Sequence, residues 1–136
     1  MKKILIFVTM LALTFSCAFA QEATATTTTD PSTPDLSTRV IDIEDTYANL
    51  HPKAATVKIQ LEYVPLTGEV RLSYTCMAAS YDQGEAMNTA MAVLQDFQKQ
   101  NQYYHYSYKE KDKTKYFKDG RDVKMVTYKS HVLFTR

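Results

Sequence analysis

The chain has 136 residues, a formal net charge of +1, three glycines, two cysteines and no tryptophan. So few glycines leave no room for a glycine-rich phosphate loop, which argues against nucleotide chemistry, and the length allows one small core rather than two. The near-neutral total hides an uneven distribution: residues 21–100 carry five basic and eleven acidic side chains, residues 101–136 nine basic and four acidic.

Residues 1–20, MKKILIFVTMLALTFSCAFA, have a basic start at Lys2 and Lys3, an apolar run and a small-residue ending Ala18-Phe19-Ala20. This is the pattern of a bacterial secretory signal peptide cut before Gln21. The apolar run falls short of the roughly 20 residues that a membrane-spanning helix needs. Cys17 offers a competing lipoprotein cleavage with a lipid anchor, but Leu13 stands one position too far from it for the usual spacing. Removing the leader leaves Cys76 as the sole thiol, so stability rests on packing rather than on an internal disulfide.

Residues 21–38 are rich in threonine with two prolines and almost no bulky apolar side chain. Such a segment cannot repay the entropy of ordering and reads as a disordered linker, which places a single domain at residues 39–136. Residues 39–50 are ambiguous, because Ile41 and Ile43 alternate as in a strand while Ile43, Tyr47 and Leu50 fit one helical face.

TVKIQLEYV follows, with Val57, Ile59, Leu61 and Tyr63 alternating with Lys58, Gln60 and Glu62; EVRLSYTCMA repeats the alternation after turn residues 65–68. The two form an antiparallel hairpin. The period then changes: Asp82 with Glu85 marks a helix start, and Met87, Ala90, Met91, Leu94 and Phe97 fall on one helical face through residue 100. Alternation returns at residues 103–109 and 123–134 around a turn at Asp119-Gly120, with a further short strand allowed at residues 115–117. The expected fold is α+β: a small antiparallel sheet of about four strands in ββαββ order, with one helix on one face.

Residues 101–120, NQYYHYSYKEKDKTKYFKDG, concentrate five tyrosines and five lysines. Parity in an extended strand puts Tyr104, Tyr106 and Tyr108 on one face and Tyr103, His105, Ser107 and Lys109 on the other. With the second set taken as the wetter one, the first three rings line the core beneath the helix. Turned over, the strand would instead offer aromatic rings and lysines to a polyanion. Glu110 and Asp112 dilute that field, and export removes the chain from most nucleic acid, so an anionic glycan or lipid headgroup fits better.

No nucleophile, base and orienting group stand together in the pattern, and a small hydrolase built on Cys76 or His105 is the weakest reading. No catalytic, cofactor or metal residue is assigned. The acidic group Asp42, Glu44 and Asp45 lacks the spacing of a calcium loop. The expectation is an exported protein, periplasmic or secreted, acting as a non-catalytic binding module of the cell envelope. Its partner is a protein or envelope component, with an anionic surface as the alternative. The candidate contacts are Lys109, Lys111, Lys113, Lys115, Lys118, Tyr103 and His105.

Overall fold

The structure, a computed structural model, describes residues 34–136. The signal peptide, Cys17 and most of the linker lie outside the described residues; residues 34–38 are exposed and carry no regular secondary structure. Six antiparallel strands form one sheet: β1 (Arg39–Ile43), β2 (Val57–Val64), β3 (Glu69–Met77), β4 (His105–Tyr108), β5 (Lys113–Lys118) and β6 (Lys124–Thr135). A single α-helix, α1 (Gln83–Gln100), follows β3.

The four-strand ββαββ expectation is therefore wrong, and the domain is mostly sheet. Two strands account for the difference. β1 takes the strand option of its ambiguous segment, because Arg39, Ile41 and Ile43 sit opposite Tyr63, Leu61 and Ile59 and so extend the apolar face of β2. The Tyr/Lys segment supplies two strands rather than one. β4 and β5 both run along the same side of β6, β4 against residues 132–135 and β5 against residues 124–129. Between them, residues 109–112 stand opposite only Ser130 and His131, so the edge of the sheet is one strand interrupted by a bulge. The row order is β1, β2, β3, β6 and then the interrupted edge.

One face of the sheet is apolar. Ile59, Leu61 and Tyr63 from β2, Val70, Leu72, Tyr74 and Cys76 from β3, and Val126, Tyr128, Val132 and Phe134 from β6 are all buried. The helix lies chiefly over β3 and β6. Its N-cap is Asp82, whose carboxylate accepts from the Glu85 N–H at 3.1 Å. The buried helix face is Ala86, Thr89, Ala90, Val93, Leu94 and Phe97, whereas Met87 and Met91 are 43% and 38% exposed on the flank. The face assigned from periodicity is thus turned toward its small residues, which let the helix approach the sheet closely.

The helix ends in a Schellman motif: the Tyr103 N–H donates to the Gln98 carbonyl at 3.0 Å and the Gln102 N–H to that of Lys99 at 3.3 Å. Gln102 occupies the left-handed position, with φ 57°, where glycine is the usual occupant. Gln102→Gly is expected to raise unfolding stability by about 0.5 to 1 kcal/mol, measured by urea denaturation; a loss of stability would contradict the assignment of this cap.

That turn also overturns the parity argument for the tyrosines. Tyr103 belongs to the cap and not to a strand, and is driven inward, where its hydroxyl pairs with that of buried Tyr63 at 2.6 Å and its ring packs on Phe134. Tyr104 precedes β4 and is 73% exposed. Tyr106 and Tyr108 do share the helix-side face, opposite Phe134 and Val132. Tyr106 is half-buried against Phe134, but Tyr108 lies at the sheet edge and is 49% exposed.

Candidate functional site

The five lysines of the Tyr/Lys segment are all exposed, as is His105; buried Tyr103 drops out as a contact residue. The structure does not gather these residues on one face. Lys113 and Lys115 project from the outer face of the sheet, opposite the helix, through their pairing with Lys129 and Thr127. Lys118 pairs with Lys124 on the helix-side phase, and Lys109 and Lys111 belong to the bulge. His105 sits opposite Thr135, four residues along β6 from His131, so the two histidines do not oppose each other across the strands.

Ion pairing divides the lysines further. Lys109 meets Glu69 at 3.6 Å, Lys113 meets Glu110, and Lys118 meets Asp122 at 2.7 Å. Among the described residues, Lys111, Lys115, Lys124 and Lys129 have no acidic partner. Two lysine pairs are directly opposed across β5 and β6, Lys113 with Lys129 and Lys118 with Lys124. Like charges in opposed positions destabilise a sheet.

Sequence reasoning missed the residues that the fold adds to this segment. On the outer face beside the bulge lies a cleft of about 150 Å³ whose basic wall comes from Arg71, Lys111, Lys113, Lys129 and His131. Glu62, Leu72, Ser73, Glu110 and Ser130 complete it; Ser130 pairs with buried Leu72, so its hydroxyl, which has no hydrogen-bond partner among the described residues, belongs to the helix-side phase rather than to the cleft. Arg71 and His131 are neighbours by register, a pairing that charge patterning along the chain cannot show.

His131 organises one end of the cleft. Its Nε2 lies 2.6 Å from Glu69 and its Nδ1 3.2 Å from Glu110, so each ring nitrogen faces a carboxylate. The bond from His131 holds the Glu69 carboxyl below its ordinary value, helped by Lys109 and Arg71. Lys113 and then His131 do the same for Glu110. Glu69 and Glu110 are thereby engaged internally, whereas Glu62, which also lines the cleft, has no ion-pair partner among the described residues; Lys111 and Lys129 remain open to an outside anion.

Elsewhere the reactive groups are consumed by structure. Cys76 is fully buried and burial pushes its thiol up, which disfavours the nucleophilic thiolate. His51 is 1% exposed, with Nε2 2.9 Å from Asp45 and Nδ1 3.1 Å from the Ala54 carbonyl. Among the described residues, no group of three histidine, cysteine or acidic side chains is arranged to hold a metal ion, and no helix is long and apolar enough to cross a membrane. Comparison with protein-family models, with curated proteins and with solved structures finds no match for this chain.

Proposed function

We propose that this protein is an exported, non-catalytic binding module that takes an anionic partner on the outer face of its sheet, at the cleft between β3, β6 and the edge bulge. The observation that carries this reading is Lys129. It faces Lys113 directly across the sheet, has no acidic partner among the described residues and borders a cleft in which Glu110 is already engaged by Lys113 and His131. A repulsive pair held beside a cleft is relieved when an anion enters. Export rests on the leader at residues 1–20, and the basic C-terminal third favours the anionic alternative over an uncharged partner.

The test uses dextran sulfate as the polyanion and neutral dextran as the control, titrated against the chain from Gln21 onward. Binding to the sulfated polymer should weaken steeply as salt is raised. Lys129→Gln should lower affinity by about tenfold and flatten the salt dependence, while leaving thermal stability unchanged or slightly higher because an opposed like-charge pair has been removed. Binding that ignores both salt and Lys129→Gln would move the contact elsewhere and overturn the reading.

A further inference from the structure

The register of the outer face carries the reading above to a particular partner. Across β5, β6 and β3, three successive rows of that face can be read from the pairing. Phe117, Met125 and Met77 form the first row; Lys115, Thr127 and Thr75 the second; Lys113, Lys129 and Ser73 the third. The corner thus holds three apolar side chains, three lysines and three hydroxyl residues, and no carboxylate. It measures about 10 Å across the strands and about 14 Å along them.

The apolar row is open to its surroundings: Phe117 is 39% and Met77 44% exposed, with Met125 half-buried between them. It lies at the end of the sheet, next to the turn at residues 119–123 that joins β5 to β6. Glu110, just outside the corner, is paired with Lys113, and the carboxylates of that turn are also occupied. Asp119 accepts from the backbone N–H groups of Arg121 and Val123, and Asp122 meets Lys118.

An aromatic ring and two thioethers at a sheet end, backed by rows of lysine, match the layering of an anionic bilayer surface. There an apolar stratum lies just beneath a plane of negative headgroups. A soluble polyanion needs the lysines but gives no role to Phe117, Met125 and Met77. We propose that this corner docks on anionic lipid, with Phe117, Met125 and Met77 entering the interface and Lys113, Lys115 and Lys129 meeting phosphates. The proposal rests on the anion-binding reading and commits it to a membrane surface.

The chain has no tryptophan, so Phe117→Trp places a single reporter in the apolar row. With the chain from Gln21 onward, emission should shift to the blue on adding vesicles of phosphatidylglycerol and phosphatidylcholine, but not on adding phosphatidylcholine alone. Phe117→Ser should weaken sedimentation with the anionic vesicles by about fivefold or more while leaving dextran sulfate affinity as it was. Lys129→Gln should weaken both. Circular dichroism of each variant confirms that the fold is retained. Unchanged emission with anionic vesicles, alongside intact dextran sulfate binding, would overturn the membrane proposal and leave the anion-binding reading standing; failure to bind either probe would overturn both.

Discussion

Gly68→Ala is expected to destabilise the domain by about 3 kcal/mol or more. Gly68 closes the turn between β2 and β3 with φ +72°, in the left-handed region where a side chain is disfavoured. A Cβ there would also be driven into the backbone carbonyl of Phe134, an atom that cannot swing away. The contact exists because the Phe134 N–H donates to the Gly68 carbonyl at 2.8 Å, which ties the turn to the end of β6. Relief by backbone movement would therefore sacrifice that bond and disturb Phe134, around which Phe97, Tyr103 and Tyr106 pack. For a domain of this size each kcal/mol corresponds to roughly 4–8 °C in Tm, so a fall of at least about 12 °C is expected by circular dichroism. A change below about 1 kcal/mol would show that the turn does not approach β6 as described.

The second large effect is expected at His51, whose replacement by alanine should cost about 3 kcal/mol. The imidazole joins three parts of the molecule: Asp45 before the short helical turn at Ala48–Leu50, the Ala54 carbonyl after it, and the ring of Tyr74 beneath, met edge-on with centroids 5.8 Å apart. Alanine strands the carbonyl, removes the partner of a carboxylate that is only partly solvated, and opens a cavity over a buried tyrosine. The segment from Glu44 to Thr56 should then loosen before the rest of the sheet. Hydrogen exchange would report this as lost protection at Leu50 and Ala54, whose N–H groups donate to Tyr47 and His51. Uniform loss over all strands, with no local excess, would contradict the role given to the ring. Asp45→Asn should cost less, because that side chain keeps contact with water.

What could be read from the chain follows the strength of its periodicities. β2, β3 and the helix were legible because each runs long enough for alternation or helical spacing to be unmistakable, and Asp82 is a cap of ordinary chemistry. β1 was not, since two isoleucines over five residues satisfy both periods; the choice is made by β2, which lies beside it. The tyrosines misled for a more specific reason. A helix that stops on glutamine gives no glycine signal, so the cap residues looked like the start of a strand, and Tyr103 and Tyr104 were assigned to each other's surroundings. Met87 and Met91 share the helical spacing of Ala90, Leu94 and Phe97, but the sheet receives the arc that adds Ala86, Thr89 and Val93 and leaves the two methionines on the flank.

The lysine cluster was visible as composition, but its geometry was not. Which lysine faces which depends on four residues of the edge standing opposite two of β6, and no alternation rule anticipates a bulge of that kind. Arg71 and His131 entered the cleft through strand pairing alone. The leader and linker, legible in composition, remain expectations about export, and their test is the mass of the processed protein.

The interruption of the edge strand also bears on self-association. An unbroken outermost ladder would offer its free amides and carbonyls as a template for another molecule's strand. Here the kink at residues 109–112 throws that ladder out of step midway, and the lysines on either side repel an identical neighbour. The four residues that shape the cleft thereby also disfavour the addition of an identical strand along this edge.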